Sequence, residues 1–240
     1  MNILIIIPAY NEEGNIVRVV ENLKSNYSDY DYIVVNDGSK DNTSKICHNN
    51  NYNIIDLPVN LGLAGAFQTG LKYAYLKGYD YAIQFDADGQ HRAEFIKTMY
   101  GEIKKGYDIV IGSRFLDEKK PKSLRMLGSN MISKAIKMTT GVRIQDPTSG
   151  MRMLNRNLIR EFAVNLNYGP EPDTISYLIK QGVKVSEVQV SMDERIEGES
   201  YLTFSRSMKY MLRMIISIVF IQNVRRRDKR FVSESGGQSK

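Results

Sequence analysis

The stretch YAIQFDADGQH, Tyr81 to His91, runs a short apolar segment directly into two carboxylates one residue apart. Tyr81 to Phe85 is brief, apolar and ended by polar turn residues, which is how a buried strand of a parallel sheet reads. Asp86 and Asp88 stand where the turn begins. A pair so placed can hold a hard cation while leaving coordination positions open for phosphate oxygens, which implies Mg2+ or Mn2+. Asp88-Gly89 also reads as a plain turn dipeptide, so the pair alone leaves a metal site and a turn both open.

The same strand pattern recurs on either side. Ile3 to Pro8, Tyr32 to Asn36, Asn53 to Leu57 and Asp108 to Ile111 are short apolar runs with polar ends. Between them lie segments of helical spacing: Ile16, Val17, Val20 and Leu23 with Asn11 as cap, then Leu63 to Lys77, then Ala93 to Lys105. This alternation predicts an α/β fold with an open, mostly parallel sheet flanked by helices. Ligands of such sheets bind beyond the carboxyl ends of the strands. Those ends carry Pro8-Ala9-Tyr10-Asn11-Glu12, Asn36-Asp37-Gly38-Ser39, the Asp86 to His91 turn and Gly112-Ser113-Arg114, so polar groups are expected on one rim. At the end of a strand, Asp37 suits a nucleobase or ribose, although a turn reads equally well there.

Beyond Arg114 the alternation is lost. Lys119 to Leu124 reads as a basic loop, Leu127 to Met138 as a helix, and Val183 to Val190 as a strand. Phe204, Met208, Met211, Leu212, Ile215, Val219 and Gln222 mark a long helix with one apolar stripe. The expected division is a catalytic domain over 1–203, an amphipathic helix over 204–224 and a basic, disordered tail over 225–240.

Composition narrows the class. The chain has 240 residues, 42% hydrophobic and 25% charged, which is ordinary for a globular domain. Its one cysteine, Cys47, excludes an internal disulfide framework and a thiolate metal site, and fits a reducing compartment. Met214 to Ile221 falls far short of the roughly 20 apolar residues that span a bilayer. Of the net charge of +6, Arg225, Arg226, Arg227, Lys229 and Arg230 with Asp228 supply +4. Charge so localised argues against a nucleic-acid-binding face and for a local anionic partner such as a membrane surface. Leu61-Gly62-Leu63-Ala64-Gly65 lacks the full glycine fingerprint of a dinucleotide site.

In order and spacing through roughly the first 150 residues, several segments together resemble the inverting GT-A-fold glycosyltransferases of the large family that includes dolichyl-phosphate and polyprenyl-phosphate sugar synthases. They are Pro8 to Glu13, Val34 to Ser39 with Asp41 and Thr43, Asn60-Leu61-Gly62, Phe85 to His91, and Gly112-Ser113-Arg114. The resemblance implies that Pro8, Ala9, Tyr10, Glu12 and Asp37 line a nucleoside pocket. It puts Asp86 with Ala87 on the ribose or pyrophosphate side, and makes Asp88 and Gln90 the metal ligands. Arg114 and Arg125 fall near an acceptor phosphate and Arg195 near the donor pyrophosphate; a guanidinium fork suits such oxygens. Where relatives commonly carry a lysine in the loop over the donor, this chain has Tyr201, which points to a subgroup with different phosphate contacts.

Asp146-Pro147-Thr148-Ser149-Gly150-Met151-Arg152 resembles a family segment bordering the acceptor. A hydroxyl acceptor requires a general base, with Asp146 or Asp173 as candidates. A phosphate monoester, largely dianionic at neutral pH, requires none. In that case Asp146 is expected to orient Arg152 or cap a helix.

The first expectation is therefore sugar transfer from a nucleotide sugar, UDP-linked by preference, to a polyprenyl phosphate, at the cytoplasmic face of a membrane. The basic end of the last helix suits the membrane interface. Many relatives continue into transmembrane helices at this point, so peripheral binding or a membrane-protein partner would bring this chain to a lipid, and self-association stays open. The alternatives are transfer to a saccharide hydroxyl or lipid-linked glycan in surface-polysaccharide assembly, a non-catalytic membrane adaptor, and a nucleotidyltransferase. The intact acidic turn speaks against the adaptor, and the absence of a glycine-rich basic loop after the first strand speaks against the nucleotidyltransferase.

Overall fold

The computed structural model describes residues 2–165, 169, 171–193 and 204–222; Arg195, Tyr201 and the basic cluster 225–230 lie outside them, and Arg125 is described in its backbone only. Strand β1 (Ile3–Ala9) is buried along its whole length, as its unbroken apolar sequence requires of a strand covered on both faces. Helix α1 (Ile16–Asn26) leads to β2 (Asp31–Asn36), α2 (Thr43–Asn49) to β3 (Ile54–Asp56), α3 (Gly62–Lys77) to β4 (Tyr81–Gln84), and α4 (Phe95–Ile103) to β5 (Ile109–Ser113). After α5 (Leu124–Thr140) come β6 (Arg152–Asn155), α6 (Arg156–Val164), α7 (Pro172–Lys180), β7 (Val185–Gln189), α8 (Phe204–Ile216) and a π-helical turn over Ser217–Ile221.

The strands form a seven-stranded sheet in the order β3-β2-β1-β4-β6-β5-β7. All neighbours are parallel except β6, which runs antiparallel between β4 and β5. Side chains alternate across the sheet: Ile3, Ile5 and Ile7 join the core under α1 and α4, while Leu4 and Ile6 join the core under α3, α6 and α7. On that second face α3 comes so close to β1 that a Cβ on Gly70 would lie 2.2 Å from the Ile6 Cγ2.

Three features depart from the sequence reading. Asn11 does not cap α1; its backbone is left-handed at φ 55°, and Asn15 occupies the cap position instead. The segment beyond Arg114 contains β6, α6 and α7, which the periodicity did not reveal. The last helix does not keep one α-helical stripe to its end, because its final turn widens to π geometry. Among the described residues no helix is long and apolar enough to cross a membrane.

Candidate active site

The strand order explains why distant segments meet. Parallel strands β2, β1, β4 and β5 end on one rim, and β6, running the other way, begins there. Around that rim lie the loops after Ala9, Asn36, Gln84 and Ser113, together with the segment entering β6.

The first two loops lock to each other. The Asp37 N–H donates to the Ala9 carbonyl at 2.8 Å. Asn11 takes a hydrogen bond from the Lys40 N–H and donates its own N–H to Ser39 Oγ, and the Glu12 N–H donates to Thr43 Oγ1. Asp37 is buried, and its Oδ1 accepts the Leu61 N–H at 2.7 Å. Gly38, at φ 66°, is held against the backbone of Val59 and Asn60, where a Cβ would come within 2.8 Å of both. Pro8, Ala9, Tyr10, Glu12 and Asp37 are thus brought together where β1 and β2 end on the rim, with Pro8 and Ala9 forming the end of β1.

The acidic turn follows β4. Asp88 Oδ1 accepts the Gln90 N–H at 3.0 Å, which curls the turn around a left-handed Gly89. The Gln90 side-chain amide donates to the Asp193 carbonyl at 3.3 Å. This leaves Asp88 Oδ2 and Gln90 Oε1 without hydrogen bonds among the described residues. Neither the Asp86 nor the Asp88 carboxylate forms an ion pair with a lysine or arginine among them, although Arg18 lies against Gly89 and its Nη2 donates to the Asp88 backbone carbonyl at 3.3 Å. Behind the turn, buried His91 accepts the Asp86 N–H at Nδ1 (2.8 Å), which puts its ring proton on Nε2, 3.5 Å from Asp86 Oδ2. The segment after β7 is fastened to the same turn: the Asp193 N–H donates to the Gln90 carbonyl, and Met192 bridges to His91. His91 was legible only as the end of a motif; its role depends on a five-residue reach back to Asp86.

On the other side of Asp86, the segment entering β6 presses in. A Cβ on Gly150 would lie 2.9 Å from Asp86 Oδ2, so any larger residue there would press on that carboxylate. Four residues earlier Asp146, fully buried, grips Arg114 with both oxygens: Nε to Oδ2 at 2.6 Å and Nη2 to Oδ1 at 2.8 Å. The Arg114 N–H also donates to Asp146, so backbone and side chain are held by one carboxylate. Burial alone would raise the Asp146 carboxyl, but the hydrogen bonds and charge of Arg114 outweigh it and hold the pKa below its ordinary value. Glu187 supports the arrangement by accepting the N–H groups of Gln145 and Asp146, and burial pushes its own pKa up.

Asp146 therefore orients Arg114, not Arg152 as the sequence suggested. Arg152 is buried and donates to the Pro147 carbonyl at 2.8 Å. Arg114 Nη1 has no partner among the described residues, and the guanidinium stacks 5.2 Å from the centre of the Phe115 ring. Lys120 approaches the same ring, at 5.6 Å from its centre, and donates to Ser129 Oγ. Burial lowers the pKa of Lys120. Sequence reading passed Lys120 over as one of several loop lysines. Asp173 accepts the Ser217 hydroxyl at 2.7 Å, tying α7 to the π-helical turn, and takes no place in the Arg114 cluster.

The rim thus has an acidic side, whose carboxylates form no ion pair with lysine or arginine among the described residues, and a cationic side, separated by the glycine at 150. Asp88 Oδ2 and Gln90 Oε1 are hard oxygen donors that fit Mg2+ or Mn2+, with most positions left to phosphate oxygens. Among the described residues no cluster of three or more His, Cys, Asp or Glu could enclose a metal by itself.

The sequence profile described as glycosyl transferase family 2 matches residues 4–162. A UDP-N-acetylglucosamine–dolichyl-phosphate N-acetylglucosaminyltransferase of Methanococcus voltae is 36% identical over 185 residues, 68% of this chain and 73% of that protein. An undecaprenyl-phosphate mannosyltransferase of Micrococcus luteus is 28% identical over 218 residues, 85% of this chain and 88% of that protein. In fold, the chain is similar to glucosyl-3-phosphoglycerate synthase from Mycobacterium tuberculosis, crystallised with Mn2+, UDP and phosphoglyceric acid. The TM-score is 0.68 at 19% identity, over 92% of this chain and 78% of that one.

Proposed function

The chain belongs to glycosyl transferase family 2 and has the GT-A fold, and from that footing we propose that it transfers a sugar, with inversion, from a nucleotide-sugar donor to a polyprenyl phosphate. The observation that carries the reading is the division of the rim, with two carboxylates that have no lysine or arginine ion pair on one side of Gly150, Asp88 Oδ2 among their oxygens without a hydrogen bond among the described residues, and an anchored arginine on the other. The first side suits a donor diphosphate, the second an acceptor phosphate. The two polyprenyl- and dolichyl-phosphate transferases among its relatives support the same acceptor class.

In this reading Pro8, Ala9, Tyr10, Glu12 and Asp37 bind the nucleoside, UDP by preference, and Asp86 and Ala87 line its ribose or diphosphate side. Asp88 and Gln90 hold a Mg2+ or Mn2+ ion, which when bound neutralises the charge that builds on the departing diphosphate. Arg114, with Arg125, positions the acceptor phosphate, and Arg195 meets the donor pyrophosphate. An oxygen of the acceptor phosphate attacks the anomeric carbon from the face opposite the leaving group; the bond to the nucleoside diphosphate breaks as the new one forms. No proton need be removed from a phosphate dianion. This matters because both carboxylates expected to serve as a base are otherwise engaged, Asp146 by Arg114 and Asp173 by Ser217. A hydroxyl acceptor is less well supported for that reason.

The test is turnover of UDP-, GDP- and dTDP-sugars with Mg2+ or Mn2+, with and without undecaprenyl phosphate, for the intact chain and Asp88→Ala. Lipid-dependent transfer that drops about a hundredfold or more in the variant is expected, with the variant's melting temperature nearly unchanged. Transfer only to a saccharide, or turnover indifferent to Asp88, would sink the proposal.

A further inference from the structure

Beside the acidic turn the protein is not solid. A cavity of about 300 Å³ opens between α1 and the start of α4, lined by Arg18 and Asn22 on α1, Phe85 and His91 at the two ends of the turn, and Arg92 and Glu94 before α4. Gly89, at φ 77°, borders it as well. The turn that carries Asp88 and Gln90 therefore has open space on one side, where close-packed side chains would otherwise fix its backbone. Hydrogen bonds must do that work. His91 Nδ1 and Asp88 Oδ1 shape the turn from within, and Asp193 fastens Gln90 from outside. Between them the Asp88 carbonyl is held from another element by the Arg18 guanidinium.

Arg18 is part of a row. Its Nη2, which carries two hydrogens, donates to the Asp88 carbonyl at 3.3 Å and to Asn15 Oδ1 at 3.5 Å. Buried Asn15 donates in turn to Glu12 Oε2 at 2.8 Å, and the Glu12 N–H donates to Thr43 Oγ1. Glu12, Asn15 and Arg18 are three residues apart and lie one after another as the chain enters α1. The row joins the loop after β1, on the nucleoside side, to the backbone of the acidic turn. Gly89 makes room for it: a Cβ there would lie 2.1 Å from Arg18 Nη2, so any side chain would displace the guanidinium. Arg92, the other arginine of the cavity, is committed to Glu94 and Ser191, whereas Arg18 makes no ion pair among the described residues.

We propose that Arg18 is a positioning residue for metal and diphosphate binding, a strut from α1 that holds the Asp88–Gly89 peptide so that Asp88 Oδ2 and Gln90 Oε1 point at one ion. It touches neither donor nor acceptor and acts through the turn. The proposal rests on the reading of Asp88 and Gln90 as metal ligands. Charge and geometry make opposite demands here, which makes the role measurable. A guanidinium beside a cation site repels the cation, so as a charge alone Arg18 would weaken metal binding. As a strut it strengthens metal binding, because a ligand set held in place before the ion arrives loses less freedom when it binds.

The test is titration calorimetry of the full chain with UDP, GDP and dTDP, each in Mn2+ and in EDTA; the nucleotide whose binding Mn2+ tightens most is the probe. Arg18→Met should leave affinity in EDTA unchanged and cut the Mn2+-dependent gain about fivefold or more, the loss of one hydrogen bond from a charged donor. Arg18→Lys, which keeps the charge and a donor, should recover part of the gain. Lys24→Met, farther along α1 where the lysine pairs with Glu21, should change neither. With no metal or nucleotide present, the Gln90 amide should exchange with solvent about threefold or more faster in Arg18→Met than in the native chain. Thermal melting checks that each variant folds. A Mn2+-dependent gain in Arg18→Met that equals or exceeds the native one, or unchanged Gln90 exchange, would overturn the proposal. Asp88→Ala, titrated alongside, separates the two levels. A gain lost in Asp88→Ala but kept in Arg18→Met rejects the strut alone, whereas no gain in the native chain, or the same gain in Asp88→Ala, rejects the metal assignment and the strut with it.

Discussion

Arg114 and Asp146 are 32 residues apart in sequence and joined by two side-chain hydrogen bonds and one backbone hydrogen bond. Removing one partner of a buried ion pair strands the other, so Asp146→Ala should cost about 3 kcal/mol of stability. The pairing also has a pH signature. The folded Asp146 carboxyl lies below its unfolded value of about 3.9, so its contribution is fully present at neutral pH and disappears as the pH falls through that value and lower. Urea midpoints followed from about pH 6 to about pH 3 should drop more steeply for the native chain than for Asp146→Ala; parallel curves would count against the pair. Glu187 works in the opposite sense, since burial raises its carboxyl and favours the fold on the acid side. Such pairs are invisible in sequence. Asp86 and Asp88 could be recognised because strand and acids are contiguous, whereas the partner of Asp146 is chosen by β6 turning back between β4 and β5.

Elements were legible in proportion to their length and period. The helices α1, α3 and α4 and the strands β1, β2 and β4 stand within a few residues of their expected positions because the helices carry apolar residues at helical spacing and the strands are compact apolar runs bounded by polar residues. Strand β6 has four residues, none β-branched, and its place depends on two neighbours distant in the chain. Helices α6 and α7 are nine residues each, no shorter than α4, but they lie beyond Arg114, where strand and helix no longer alternate and no recognised neighbour framed them. The packing of α3 on β1 supplies a sharp test at this scale. Ala is a better helix former than Gly by roughly 1 kcal/mol, yet Gly70→Ala should destabilise by about 2 kcal/mol, because the methyl would run into stiff, buried Ile6. In an Ile6→Ala background the same change should cost much less, and a melting series over the four chains would reveal that coupling.

For the molecule as a whole, the family match ends at residue 162, but the sheet does not. Strand β7 lies beyond it, pairs along the full length of β5, and contributes Val188 to the core, with Val190 buried just after its end. Gln189 at its end accepts the N–H groups of Leu116 and Asp117 and donates to the Arg114 carbonyl, so the cationic side of the rim is held from outside the matched region. A chain truncated after Asn165 is therefore expected to lose cooperative melting and native near-ultraviolet circular dichroism. A sharp transition in that fragment would mean that the last strand and helices are accessory.

The reversed strand has one more consequence. Because β5 and β6 are hydrogen-bonded neighbours, with Ile111 opposite Arg152, the chain between them leaves the sheet and returns to it within a single strand spacing. That excursion includes Arg114, Asp146, α5 and Gly150. Its length and sequence can change without shifting the register of any strand, so it behaves as an exchangeable cassette seated in a constant frame. On the division of the rim proposed above, an engineer could refit the enzyme for another acceptor by replacing one contiguous stretch of the gene, leaving the loops after β1, β2 and β4 as they are.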